Sequence, residues 1–246
     1  MMGKRATVLI LAGGCSDRFG EMKAFFPLEG RTFIQHVVTR INGIHDGLVI
    51  SCKTGEARMR EMFPGSTVIV DDNRIKGPMA GLRSSLPLID SDYVIVIPCD
   101  IPRIQRDVIE LLLERADGHD ASIPRWSNGY LEPLTAVYRT NVFLRAVKDA
   151  WEGGIMKISR VIDMLPDVVY VPVDEIRKRD PGLGTFINLN SPADLIYLSE
   201  MDDAGKEREG TSWQRMDPLD AGENAELPMV GKADQCEPCL PRRVYP

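Results

Sequence analysis

The chain has 246 residues, 43% of them apolar and 27% charged, with a formal net charge of -6. That length suits one substantial α/β domain or two small ones, and the composition is ordinary for a soluble globular protein. The acidic balance argues against a nucleic-acid backbone as main partner, because neutralising phosphates needs a basic surface. No apolar run approaches the roughly 20 residues that cross a bilayer, so a membrane is not an expected partner either.

In chain order, Met1-Met2-Gly3-Lys4-Arg5 followed by apolar residues superficially resembles a signal peptide, but Gly13-Gly14 cuts the apolar run short. Ala6–Leu11 therefore reads as a first strand. Phe33–Ile41 has helical spacing, and Gly47–Ser51 and Thr67–Val70 read as strands. Pro78–Leu88 reads as a helix and Tyr93–Ile97 as a β-branched strand. Val108–Ala116 is helical, Ala121–Pro124 and Leu134–Tyr138 are strands, and Asn141–Trp151 and Ile158–Leu165 are helices. Val168–Val173 is a strand, and Pro192–Met201 a helix capped by Ser191. This alternation predicts βαβ units and a mainly parallel sheet covered on both faces. Composition shifts after residue 201: prolines at 218, 228, 238, 241 and 246, no sustained periodicity. The expected organisation is a domain over 1–201 and an extended or disordered tail over 202–246.

Cys15, Cys52, Cys99, Cys236 and Cys239 are odd in number and widely spread, which is no disulfide framework and fits a reducing, cytoplasmic location. The first three lie in or beside apolar segments and read as small buried fillers. Cys236-Glu237-Pro238-Cys239 offers two thiolates where a closed zinc site needs four ligands. His36, His45 and His119 have no metal-ligand spacing; His36 lies in a helix beside Val37 and Val38 and reads as packed or partly exposed. Lys157 and Arg160 would contact acceptor phosphates or form an ordinary solvated face.

Three segments carry chemistry. In the first, the strand ending at Leu11 runs into Ala12-Gly13-Gly14-Cys15-Ser16-Asp17-Arg18-Phe19-Gly20-Glu21-Met22-Lys23. Glycines let backbone N–H groups turn onto a polyphosphate, Arg18 can fork onto two phosphate oxygens, and Lys23 adds a point charge. There is no Gly-Lys-Ser/Thr ending and no Gly-x-Gly-x-x-Gly, so this is neither a Walker loop nor a dinucleotide fingerprint. The second segment delivers Asp100 to the end of the strand Tyr93–Ile97, where it could hold Mg²⁺ beside a triphosphate or cap a helix beginning near Pro102. The third runs Asp71-Asp72-Asn73-Arg74-Ile75-Lys76-Gly77-Pro78-Met79-Ala80-Gly81. Gly77 and Gly81 could let a flat base approach the backbone, or Gly81 could simply let a Pro-started helix pack closely. Ligands in such sheets sit beyond the C-terminal strand ends, so the glycine loop and Asp100 should face one crevice.

Together these segments resemble the molybdenum cofactor guanylyltransferases, over about residues 6–200. Leu11, Ala12, Gly13, Gly14, Ser16, Arg18, Gly20 and Lys23 match the N-terminal signature of that family. Asp71 with Gly77-Pro78-Met79-Ala80-Gly81 matches its nucleobase segment, and Pro98-Cys99-Asp100-Ile101-Pro102 its metal-aspartate segment. Glu132-Pro133-Leu134 is similar to its acceptor-side strand, and Asn188-Leu189-Asn190-Ser191-Pro192 to its closing motif. Phe19 and Met79 stand where methionine and leucine are usual. The resemblance implies a three-layer αβα, Rossmann-like nucleotidyltransferase fold with a mainly parallel, mixed sheet. It implies GMP transfer from GTP to the terminal phosphate of molybdopterin, with Mg²⁺ on Asp100. Arg18, Lys23 and Asp100 would be catalytic, and the nucleotide would lie on the signature, on Asp71 or Asp72, and on Gly77, Pro78 and Gly81. Asn188 and Asn190 would position the acceptor. A cofactor-delivery protein would be a possible partner. The alternatives are a nucleotidyltransferase using CTP or another phosphorylated acceptor, and a non-catalytic nucleotide-binding protein.

Overall fold

A computed structural model describes residues 4–13, 22–72, 74–190 and 194. Among them nine strands form: β1 (Ala6–Leu11), β2 (Pro27–Leu28), β3 (Arg31–Thr32), β4 (Gly47–Cys52), β5 (Thr67–Val70), β6 (Tyr93–Pro98), β7 (Ala121–Arg125), β8 (Ala136–Arg139) and β9 (Val168–Pro172). The α-helices are α1 (Phe33–Arg40), α2 (Glu56–Met62), α3 (Pro78–Ser85), α4 (Arg106–Ala116), α5 (Thr140–Glu152), α6 (Ile158–Ile162) and α7 (Val173–Ile176). Seven strands make one sheet in the order β5-β4-β1-β6-β8-β7-β9, while β2 and β3 pair separately.

The sheet is mixed. β4–β5, β1–β4, β1–β6 and β7–β9 are parallel, and β8 runs antiparallel to both neighbours. A short return after β7, closed by the bridge of Arg125 to Leu131, turns the chain back without a crossover helix. The period of two divides side chains between two cores. Val8 and Ile10 of β1 join Ile95 and Ile97 of β6 on the face covered by α1, α2 and α4. Leu9, Val94 and Val96 point to the other face, against α3, α5 and α6. Two faces, each covered by helices, are the three layers expected.

Local rules account for several boundaries. Thr32 and Gln35 form a reciprocal capping box at α1. Pro78 opens α3, which gives way to a 3₁₀ turn at Leu86–Leu88 rather than continuing as α-helix. α4 starts at Arg106, not near Pro102, so Asp100 caps no helix there. Val173 begins α7 instead of ending β9. The expected helix Pro192–Met201, apart from Asp194, and the tail after it lie outside the described residues.

Candidate active site

Register brings two strand ends together. Leu11 of β1 pairs with Pro98 of β6, and the Cys99 N–H donates to the Leu11 carbonyl at 3.2 Å. Gly13 and Asp100 therefore leave the sheet side by side, as the strand-end argument requires. Lys23, on a 3₁₀ turn spanning Lys23–Phe25, reaches the Asp100 carboxylate at 3.1 Å and also donates to the Asn190 side-chain oxygen. The Lys23 and Asp100 side chains are only 14% and 18% exposed. A pair this shielded from water is less screened than a surface pair, and its attraction offsets a real desolvation cost.

The surroundings hold this cluster in place. Met22 and Phe25 flank Lys23 and rest on Gly55, where a Cβ would stand 2.7 Å from the Phe25 ring and 3.0 Å from the Met22 sulfur. Gly55 also has φ +73°, a conformation that favours glycine. On the other side the Leu189 N–H donates to the Asp100 carbonyl at 2.9 Å. The segment before it is pinned by the buried Asp180 carboxylate, which accepts from the N–H groups of Gly184 (3.1 Å) and Thr185 (2.8 Å). Trp126 packs edge-on against Phe186 in the same segment. Asn188 and Asn190 are both exposed on this strip.

The glycine loop begins over a second cluster. Ala12 N–H donates to the Ser51 carbonyl at 2.7 Å. Beneath Gly13 lies the Asp71 carboxyl, 5% exposed, accepting from the Ser51 hydroxyl (2.7 and 2.9 Å) and the Ser84 hydroxyl (3.0 Å). Burial raises the Asp71 pKa; the two serine hydrogen bonds and the nearby Lys53 charge act against that rise. A Cβ at Gly13 would stand 2.9 Å from Asp71 Oδ2, and one at Gly81 would stand 2.3 Å from the Ser51 hydroxyl. Gly81 thus lets α3 press onto β4 and β1. Gly77 has open space around it and φ +78°. The adjacent acids separate cleanly: Asp72 turns to Arg74 at the surface, and that guanidinium holds its carboxyl at about 2.

Of the residues singled out from sequence, Gly14, Ser16, Arg18 and Gly20 lie outside the described residues, as do Cys15, Cys236 and Cys239. Cys52 and Cys99 are buried free thiols, and burial pushes the Cys52 thiol up to about 11, which suits filler rather than nucleophile. His36 is half-buried with Nε2 2.7 Å from the Leu28 carbonyl. Lys53, Ser51 and Ser84 were not anticipated. The Lys53 stem runs beside Gly13 and its ammonium donates to the Ile75 carbonyl at 2.9 Å, between Gly13 and the Gly77 segment. The signal for it was present: Lys53 follows an apolar strand directly, as Asp100 does.

The family model described as the MobA-like NTP transferase domain matches residues 8–168. The chain belongs to this family. A probable molybdenum cofactor guanylyltransferase of Bacillus mycoides is 37% identical over 198 residues, 78% of this chain and 94% of that protein. One of Methanosarcina mazei is 32% identical over 197 residues, covering 77% and 88%. The crystal structure of molybdopterin-guanine dinucleotide biosynthesis protein A from Archaeoglobus fulgidus is 29% identical with a TM-score of 0.67, covering 80% of this chain and 99% of that one. This member of the MobA-like family is a nucleotidyltransferase with the expected αβα fold.

The donor set bears on the choice of metal. Among the described residues no group of three or more His, Cys, Asp or Glu could hold an ion. Asp100 offers one carboxylate, with the Asn190 amide oxygen across Lys23. One or two hard oxygens fit an ion such as Mg²⁺ that draws its other ligands from phosphate and water.

Proposed function

We propose that this protein transfers GMP from GTP to the terminal phosphate of a molybdopterin-type acceptor, releasing pyrophosphate. The observation that carries the reading is the meeting of Lys23 with Asp100 and Asn190 at the joined ends of β1 and β6. The names of the 32–37% identical relatives support the choice of base and acceptor.

An oxygen of the acceptor phosphate forms the new bond to the α-phosphorus of GTP. The bond from that phosphorus to the β-bridging oxygen breaks, and pyrophosphate leaves with the electron pair. A phosphate monoester is already anionic near neutral pH, so the chain need supply no strong base; alignment and charge neutralisation carry the step. Asp100 would hold Mg²⁺, which supplies charge neutralisation on the phosphate oxygens when bound. Lys23 exchanges its Asp100 contact for phosphate oxygens, and Arg18 acts with it on the leaving charge. Leu11 and Ala12, whose backbone is held by the sheet and by the Ser51 carbonyl, lead into Gly13, Gly14 and Ser16, which offer backbone to the phosphates. Gly77 and Pro78 lie open to the base, with Lys53 beside them, while Asn188 and Asn190 orient the acceptor. The domain over 1–201 carries this chemistry, in the cytoplasm. The tail 202–246 is available to a partner such as a cofactor-delivery protein.

The test is pyrophosphate release with GTP or CTP, Mg²⁺ and molybdopterin. Release with GTP that depends on molybdopterin is expected. Turnover with CTP in preference, or none with molybdopterin, would overturn the base or the acceptor respectively.

A further inference from the structure

Four elements meet at one buried carboxyl group. Asp71 follows β5, Ser51 belongs to β4, Gly13 follows β1, and Ser84 lies in the last turn of α3. Ser51 donates to both Asp71 oxygens, and the Ser84 hydroxyl lies between Asp71 Oδ1 at 3.0 Å and its own helix's Ala80 carbonyl at 2.6 Å. Gly13 sits on Oδ2 so closely that a Cβ would stand 2.9 Å away. Asp71 is 5% exposed. Its oxygens face the serine hydroxyls and Gly13, an arrangement that braces the start of the glycine loop.

We infer that Ser51 and Ser84 are positioning residues of the nucleotide site, acting through Asp71 to fix Gly13 relative to the first turn of α3. The inference rests on the proposed reading of Gly13 and Gly77 as nucleotide contacts. Gly77 and Pro78 open the same eight-residue helix that ends in Ser84 and Ser85. The tie at Ser84 therefore sets how far the base segment stands from the phosphate loop. Gly81, packed on Ser51 and Leu11 midway along that helix, leaves no slack between the two ends of the brace. Loosening it spreads the site without touching Lys23, Asp100 or Asn190. The cost falls on nucleotide binding, not on the charge neutralisation that drives turnover.

Ser84→Ala tests this, because alanine suits a helix and the half-buried position tolerates it. Ser84→Thr keeps the hydroxyl, and the cavity of about 400 Å³ between α3 and α5 that Ser84 lines has room for a methyl group. Calorimetric Kd values for GTP and CTP, with kcat and KM for whichever the wild type binds more tightly, give the readout. Ser84→Ala is expected to weaken binding and raise KM about five- to tenfold with kcat within twofold, and Ser84→Thr to match wild type. Wild-type affinity in Ser84→Ala overturns the inference. So does a Ser84→Thr variant no better than Ser84→Ala, or a loss shared equally by kcat and KM. Tighter binding of CTP by the wild type would overturn the guanylyl reading instead, and the same comparison in CTP would still decide the brace.

Discussion

The two ends of the central sheet use charge in opposite ways. At the amino ends of the parallel strands, several acids and bases pair in water. Lys4 meets Asp117, Arg5 lies 3.7 Å from Asp90, and His119 lies 2.9 Å from Asp167 with both side chains about half exposed. Asp46 and Asp92 accept from the N–H groups of Ala6 and Arg5, tidying the start of β1. At the carboxyl ends, Lys23, Asp100 and Asp71 are largely withdrawn from solvent. Exposed pairs contribute about 0–1 kcal/mol and could be rearranged freely. Shielded charges are costly to keep, and although Asp120 beside Arg139 is 17% exposed at the amino edge, the meeting of Lys23, Asp100 and Asp71 at the carboxyl edge supports the proposed site there.

Substitutions at the two ends should therefore diverge, first in turnover. Asp100→Asn is expected to lower kcat at least about 100-fold with an unchanged melting curve and most GTP affinity kept; Mg²⁺-dependent turnover within a few-fold of wild type would remove Asp100 from the metal role. Lys23→Ala should lower kcat/KM about 10- to 100-fold, read in the pyrophosphate assay and by GTP titration.

The next effects are on the fold. Gly81→Ala forces a methyl against the Ser51 hydroxyl and Leu11, and chemical denaturation should show a loss of about 1–3 kcal/mol. Asp71→Asn should show its effect in the pH dependence of stability. Because Asp71 holds its proton more tightly folded than unfolded, its contribution is fully present below the ordinary carboxylate range and is lost as pH rises through its raised value. The variant should gain stability relative to wild type as pH climbs from about 4 to 7; a variant that instead loses stability relative to wild type over that range would contradict the raised value. Smallest is His119→Ala at the far end, expected to change stability by less than about 1 kcal/mol and leave turnover intact.

How much of this was legible in the sequence follows the same division. Strands β1, β4 and β6 were readable because each is a continuous β-branched or apolar run largely buried on both faces, and the edge strand β5, of which only Val68 is buried, because Thr-Val-Ile-Val is β-branched throughout. α2 was not, because Glu-Ala-Arg-Met-Arg-Glu-Met buries Met59 alone and its charges mask the period. β2, β3 and α7 are too short to show any period. The reversal of β8 depends on the return after β7 and leaves no mark in the hydrophobic pattern. In the site, Gly13, Gly77 and Asp100 stand out in the sequence as turn or strand-end residues, and Lys53, also at a strand end, went unread. Ser51 and Ser84 do not stand out, since a serine inside a strand or helix looks the same whether or not a buried carboxyl waits beside it.

The account turns on Lys23 and Asp100 serving one triphosphate. A crystal structure with GTP and Mg²⁺ tests that directly. The account predicts the Lys23 ammonium on phosphate oxygens and the Asp100 carboxylate on the metal, the two having parted from their present 3.1 Å contact. Nucleotide bound elsewhere, with Lys23 and Asp100 still joined to each other, would contradict it.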